Sequence, residues 1–504
     1  MTATFATRWA EAVADGPDRP FLVWEGRDGR VTTWTYGEFD GLVAEVAGGL
    51  AGRGVKAGAA VHLALANSVG FVAVWLAAAR LGAWIVPSDP TSSGSELAGH
   101  MARTAPTVGL CAPGRSAAYR DAATGGPEVL AVDEDDTELA GLRGPAVDWS
   151  ELDAPAPRDR AAVMFTSGTT SAPKGVVVTQ ANYAFAGDVM AAAAGLRATD
   201  RQLVVLPMFH ANAQYYSFAS AISVGASVAL MPAFSASGFL AQAARHHATH
   251  ASLFAAPMRM ILAKEPAPEP DLGLVHCWYA QNVTADQYET LAGLLGCRPR
   301  QLYGMTETIP AVLTNRAVGP VPHAMGEPTL GCQVDLRRQG TDEPVATGDT
   351  GEVVVAGEPG LTLFDGYLDD PDTTGRSFLN GWFRTGDLAH RDDDGRFYFE
   401  GRGSDVLKVA GENVSVVEVE AVLAAHPSVL EAAVIGEPDP MRDEVPVGFV
   451  VQQPGRPALD PGDLAAWCAD RLAKSKRPVR VEIVAELPRT SVGKIRKFLL
   501  KERA

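Results

Sequence analysis

A layered α/β fold followed by a smaller α+β domain is what this sequence predicts, on three observations. Val- and Ala-rich stretches alternate with helical patterns between residues 1 and 330, the texture of strands sandwiched by helices. From Gly326 to Phe399 the pattern changes to short Val-rich strands broken by Gly, Asp and Pro turns, as in a β subdomain. After about Gly401 to Asp405 it changes again, to helix, strand, strand and helix.

Each element has a local reason. Val61 to Ala66, Ala161 to Phe165, Leu203 to Leu206 and Ser227 to Met231 are short apolar runs, several closed by Gly or Pro, and read as buried strands. Tyr36 to Gly52 and Asn67 to Leu81 lie between such runs and read as helices. In the last domain, Ser415-Val416-Val417-Glu418 has the capping-box pattern and opens a helix to about Ala425. Val419, Val422 and Leu423 form its apolar face. Strands are expected at Ala432 to Ile435 and Val447 to Val451, and a second helix over Pro461 to Lys474.

Composition narrows the class. The chain has 504 residues, too many for one core, so two or more domains are expected. A net charge of -17, with no Lys/Arg-rich block, works against a nucleic-acid partner. Met1 to Pro20 has no signal-peptide pattern, and the apolar run Phe71 to Ala79 stops at Arg80, too short for a membrane span. The five cysteines are scattered without a C-x-x-C, as expected of free thiols in a cytoplasmic protein. His246, His247 and His250 lack the Glu of a catalytic zinc motif and read as a solvated helix face.

The stretch Val163-Met164-Phe165-Thr166-Ser167-Gly168-Thr169-Thr170-Ser171-Ala172-Pro173-Lys174-Gly175 carries the strongest chemical signal. A buried-type strand runs into Ser, Thr and Gly positions and then a Lys. Glycine lets backbone N–H groups approach a phosphate, the hydroxyls donate further hydrogen bonds, and Lys174 adds positive charge. The P-loop pattern fails here, because Pro173 precedes and Gly175 follows the Lys.

This stretch resembles the signature of the adenylate-forming superfamily of acyl-CoA ligases, luciferases and peptide-synthetase adenylation domains. Further motifs follow in that family's order: Tyr303-Gly304-Met305-Thr306-Glu307, Thr385-Gly386-Asp387, Gly401-Arg402 through Glu420, and Pro488 to Lys494. Within the superfamily the strings look most like the crotonobetaine/carnitine-CoA ligase type. The resemblance covers nearly the whole chain. It implies a large N-terminal domain, residues 1–401, of two α/β layers plus a β subdomain, and a small mobile α+β domain, residues 402–504.

The resemblance also implies roles. Thr166, Ser167, Gly168, Thr169, Thr170 and Lys174 would hold the phosphates of ATP. Tyr303 and Gly304 would meet adenine, Thr306 the α-phosphate, and Glu307 would hold Mg2+, a hard cation suited to carboxylate oxygen. Asp387 would accept hydrogen bonds from the ribose diol, with Arg402 beside it. Lys494 would neutralise charge growing on the phosphate as the acid attacks. The small domain would close for this step, then rotate to present a second face with Lys408 and Gly411, where coenzyme A approaches. The usual hinge position holds Ser404, followed by Asp405, which departs from the family pattern.

For the acid, His210 matches the family's gate position, followed by Asn212 and Gln214. Many relatives have a Gly-Gly-Ala-like turn where this chain has Tyr279-Ala280-Gln281-Asn282. With Met305, the residues Tyr279 and Gln281 would make the pocket short and polar, which favours a small polar or aromatic acid over a long fatty acid. The leading expectation is an acid-CoA ligase. The alternatives are a diazotase of natural-product biosynthesis that adenylates nitrite for an aryl amine, a stand-alone enzyme loading a carrier protein, and a nonenzymatic binding protein that kept the fold. A homodimer is common among relatives, though no interface is legible. Neither the acid nor the acceptor follows from the sequence.

Overall fold

The computed structural model describes residues 3–166, 173–403, 406–409, 412–489 and 495–501, with the side chains of Val406, Lys408, Glu412, Asn413 and Phe498 outside the description. The chain divides into two compact units. The first comprises Met1–Pro322, Pro328–Gln333 and Ala356–Ser377; the second comprises His323–Glu327, Val334–Val355 and Phe378–Ala504.

The first unit carries two sheets. In one, the strands Arg300–Tyr303, His276–Ala280, His250–Phe254, Arg201–Val204, Ser227–Leu230 and Pro20–Glu25 lie side by side and parallel. Antiparallel strands Leu313–Thr314 and Val31–Thr35 flank them. In the other, Arg160–Thr166, Trp84–Pro87, Ala60–Ala64, Val108–Cys111 and Glu128–Ala131 are parallel, and Lys174–Thr179 and Gly366–Tyr367 add antiparallel strands at one edge. The α/β layers read from the sequence are therefore present, and parallel sheets demand that both faces be covered.

Helix Val69–Arg80 shows how they are covered. Ser68 caps it through Phe71 N–H, and every residue from Val69 to Ala79 is buried. A helix apolar on all sides belongs in a core, and this one is too short to span a bilayer. Trp75 meets Phe5, Tyr183 and Phe218 at ring separations of 4.9 to 6.0 Å through a shared cluster, joining four helical segments. Among the described residues no helix is long and apolar enough to cross a membrane.

The second unit holds a β subdomain, with strand order Gln333–Arg337, Gly351–Ala356, Trp382–Arg391, Phe397–Arg402 and Ala324–Pro328. It also holds a five-stranded sheet whose central strand, Asp443–Gln452, pairs with Val429–Asp439, Val406–Val409 and Arg480–Val484. Helices Val416–Ala424 and Pro461–Ala469 supply Val419, Leu423, Leu464 and Cys468 to its core.

Three local expectations need correction. Only half of the capping box at Ser415 forms: its hydroxyl accepts Glu418 N–H at 3.4 Å, but the Glu418 carboxylate turns to Lys476 Nζ at 2.7 and 2.8 Å. The helix from Pro461 stops at Ala469 instead of reaching Lys474, and Leu472 is drawn into the core beyond it. The three histidines share no helix face. The helix ends at Arg245, His247 takes φ 51°, and His250 begins a strand. His246 is buried with Nε2 2.5 Å from Glu25 Oε2, so a hydrogen-bonding carboxylate of a distant strand overrides solvation.

Candidate active site

In the first unit Thr166 and Tyr303 end parallel strands and Gln281 follows one, positions at which open α/β sheets bind ligands. The strand Arg300–Tyr303 leads into Gly304 and a single 3-10 turn, Thr306–Thr308. Thr308 Oγ1 accepts Met305 N–H at 3.0 Å and donates to Met305 O at 3.0 Å, closing the turn. The next residue, Ile309, has φ 71°, a left-handed conformation that a β-branched side chain seldom adopts. A side chain at Gly304 would put its Cβ 2.9 Å from Ala311 Cα and from Pro310 O, so only Gly lets the strand pass the turn this closely.

Glu307 is 4% exposed, and its Oε1 accepts the Tyr367 hydroxyl at 3.0 Å. Its backbone carbonyl accepts Phe364 N–H at 3.0 Å. Burial, and then the neighbouring Glu307 carboxylate, raise the Tyr367 pKa, so the phenol keeps its proton and donates it to this bond. Lys174 Nζ sits 4.7 Å from the centroid of the Tyr367 ring, a cation–π distance. Strand pairing brings them together: Tyr367 lies opposite Val176 on the strand that Lys174 opens.

Thr166 pairs with Lys174 at the end of the antiparallel strands Arg160–Thr166 and Lys174–Thr179 where the chain passes from one to the other, with Thr166 Oγ1 3.5 Å from Lys174 O. The candidate residues Ser167, Gly168, Thr169 and Thr170 lie outside the described residues. Arg103 secures the flanks. Its Nη1 donates to Pro173 O at 2.6 Å, Nη2 to Leu368 O at 3.2 Å, and the guanidinium stacks on Phe165 at 5.0 Å.

His210 lies in the segment after strand Arg201–Val204, half-buried, with its ring 4.5 Å from that of Phe209. Asn67, which the sequence did not single out, sets this segment. Its amide donates to Leu206 O at 3.1 Å and Met231 O at 2.9 Å, and its Oδ1 accepts Met208 N–H at 2.8 Å. A polar residue at the start of an otherwise apolar helical run was its only sequence signal. Asn212 opens a π-helical turn, Asn212–Ala219, all of it buried, and Asn212 Oδ1 has no hydrogen-bond partner among the described residues.

Gln214 and Tyr279 both lie in the core of the first unit. Gln214 is fully buried, donates to Met208 O at 2.6 Å and accepts the Tyr183 hydroxyl, so its amide is spent on the core. Tyr279 is packed into the apolar cluster with Tyr288 and Met258, its hydroxyl 3.4 Å from Gln301 Oε1. Gln281, just past that strand, is exposed with φ 72°, and Gln301 Nε2 donates to Asn282 Oδ1 at 2.8 Å beside it.

In the second unit, Asp387 is 5% exposed and Arg402 Nε donates to its Oδ1 at 3.0 Å. The Thr385-Gly386-Asp387 turn is held by Glu352, a buried carboxylate missed from the sequence. Glu352 Oε2 accepts Arg384 Nε and Nη2 at 3.0 and 2.6 Å, and Oε1 accepts Gly386 N–H at 3.1 Å. A lone Glu opening the apolar strand Gly351–Ala356 was the available clue. The backbone of Lys408 pairs with that of Asn413, whereas Gly411 and Lys494 lie outside the described residues.

Comparison with known proteins follows the same ground. The family model for AMP-binding enzymes matches residues 9–368, and the model for the AMP-binding enzyme C-terminal domain matches 418–494. A crotonobetaine/carnitine–CoA ligase of Salmonella arizonae is 31% identical over 510 residues, covering 98% of both chains. ATP-bound MatB of Rhodopseudomonas palustris superposes with a TM-score of 0.88 at 26% identity, covering 99% of this chain and 98% of that one. The O-succinylbenzoate coenzyme A synthetase MenE of Bacillus subtilis, in complex with AMP, gives 0.85 at 27% identity with 98% of each covered.

Proposed function

Because the chain belongs to the AMP-binding, adenylate-forming enzyme family, we propose that this AMP-forming ligase of the acyl-CoA ligase type activates a short polar or aromatic carboxylic acid and transfers it to coenzyme A. The observation that carries the reading is the joining of Lys174, Tyr367 and Glu307 beside the strand end that presents Tyr303. A fixed ammonium and a fixed carboxylate joined through one tyrosine suit a nucleoside triphosphate with its cation.

In the first step a carboxylate oxygen of the acid attacks the α-phosphorus of ATP. The bond to the bridging oxygen breaks and pyrophosphate leaves. In the second, the thiol of coenzyme A attacks the acyl carbon, loses its proton, and displaces AMP. Lys174 with Thr166, Ser167, Gly168, Thr169 and Thr170 holds phosphate oxygens, Thr306 holds the α-phosphate, and Tyr303 supplies a ring face for adenine. Asp387, kept in place by Arg402, accepts from the ribose hydroxyls. Lys494 neutralises the charge that develops at the α-phosphate, and Lys408 and Gly411 serve the thiol step, with the functional boundary at residues 401/402.

The donor set fits Mg2+. Among the described residues no group of three or more His, Cys, Asp or Glu gathers, and Mg2+ needs none, since it takes one or two carboxylates and completes its shell with phosphate oxygens and water. Glu307 would be that carboxylate, and the ion when bound would offset charge on the phosphates.

The acid's polarity is supported by Asn212, whose buried Oδ1 has no partner among the described residues next to the His210 segment. The test is pyrophosphate release from ATP and Mg2+ with acetate, crotonate, carnitine, coumarate, aminobenzoates, palmitate and nitrite, with and without coenzyme A. A thioester formed from a short acid supports the proposal. A preference for palmitate overturns the substrate class. Release with nitrite, consumed by an aryl amine and indifferent to coenzyme A, overturns the acceptor.

A further inference from the structure

We infer that Tyr367 is a positioning residue that sets the metal-holding carboxylate, so that the metal dependence of nucleotide binding is written into its hydroxyl. The inference rests on the reading of Glu307 as that carboxylate. Tyr367 is 8% exposed, and a Phe would fill the same space. The hydroxyl, which also interacts with the Ser377 side chain, donates at 3.0 Å to Glu307 Oε1 and so fixes which way the carboxylate turns. The ring face meanwhile receives Lys174 Nζ at 4.7 Å. One side chain thus touches both the acidic and the basic member of the phosphate site.

Tyr367 itself is held from both sides of its short strand. Its N–H donates to Thr374 Oγ1 at 2.9 Å, and the next residue, Leu368, donates to Gly175 O at 2.7 Å and accepts from Arg103. Gly366, just before it, has φ 138°, which keeps the strand turned onto Lys174–Thr179. The phenol therefore acts from a rigid mount, and removing only its oxygen leaves packing and ring contact in place.

The experiment is calorimetric titration of the full-length protein with α,β-methylene-ATP, which cannot release pyrophosphate, in EDTA and across a range of Mg2+. Tyr367→Phe should bind the nucleotide in EDTA within about twofold of the parent, yet need about tenfold more Mg2+ to reach half its effect, the loss expected for a charge-assisted hydrogen bond. Glu307→Gln should lose the Mg2+ response, and Tyr367→Phe placed on it should add nothing further. Tyr367→Leu should also weaken binding in EDTA, because Lys174 loses the ring. An unchanged Mg2+ midpoint in Tyr367→Phe overturns the inference. So does an equal loss with and without Mg2+, or additive effects of the two substitutions, since each is what a merely structural tyrosine would give. Failure of the parent to release pyrophosphate with any acid would instead overturn the proposed reaction and leave this titration readable.

Discussion

Arg402 and Asp387 face each other across an antiparallel strand pair, and the guanidinium Nε donates to the buried carboxylate at 3.0 Å. Arg402 is the more exposed partner, with 41% of its side chain accessible against 7% for Asp387, so the pair presents its acid from a protected base. Asp387→Asn should raise the KM for ATP by about 10- to 100-fold, the worth of hydrogen bonds to a charged acceptor, with little change in acid KM. Arg402→Lys should give a smaller rise, because an ammonium does not reproduce the planar fork. Steady-state kinetics with ATP varied decides this.

Gly304→Ala should cut the rate of pyrophosphate release by at least about tenfold. The new Cβ meets backbone atoms at 2.9 Å, and backbone cannot give way without moving the Met305–Glu307 turn. Circular dichroism should show the fold retained. Unaltered kinetics would mean that the turn is not part of the nucleotide site.

Asn67→Ala removes three hydrogen bonds that hold residues 206–208 and 231. The loss of stability should be about 2–4 kcal/mol, because buried backbone groups are left unpaired. Thermal unfolding measures that. The same variant should raise the KM for the acid more than that for ATP, since the freed segment carries His210.

The pH dependence of stability should reflect a buried chain in which Tyr119, His62, Ser88 and His100 are hydrogen-bonded in series. Burial, then the charge of His100, lowers the pKa of His62 to about 3. Burial chiefly lowers that of His100 to about 4, with Arg103 lowering it further against the pull of Glu96. Both histidines are neutral in the folded protein near neutrality and take up protons on unfolding below the ordinary histidine value of about 6.5. Stability from this pair is complete above about pH 6.5 and falls as the pH drops toward 4, because the unfolded chain then binds more protons. The Tm should decline through that window, and His100→Gln should flatten the slope by up to one proton.

Lys494→Ala should abolish adenylation, by about 100-fold or more, while the same variant still converts a supplied acyl-adenylate to thioester. Equal loss of both half-reactions would remove Lys494 from the adenylation step.

Much of the fold was legible because buried strands leave short apolar runs between breakers. The parallel strands at Ala60–Ala64, Arg160–Thr166, Arg201–Val204 and Ser227–Leu230 fall within a few residues of the runs that predict them. Where the sequence misled, a long-range partner had intervened. Glu418 leaves its cap for Lys476, 58 positions away, and His246 leaves solvent for Glu25, 221 positions away.

By itself the sequence determined the family, because the order of residue types in contiguous strings such as Thr166 to Lys174 and Tyr303 to Glu307 places the chain among the AMP-binding enzymes. Only the tertiary structure decided how those strings are held. Tyr367 lies 60 positions from Glu307, and no local pattern marks it as that carboxylate's partner. Gln214 and Asn67 are both buried amides flanking the same segment, yet one is spent on Tyr183 and Met208 and the other clamps the segment's backbone. A polar side chain's role depends on which donors and acceptors the fold brings within about 3 Å of it, and that distance is set by strand pairing and core packing, not by neighbours along the chain.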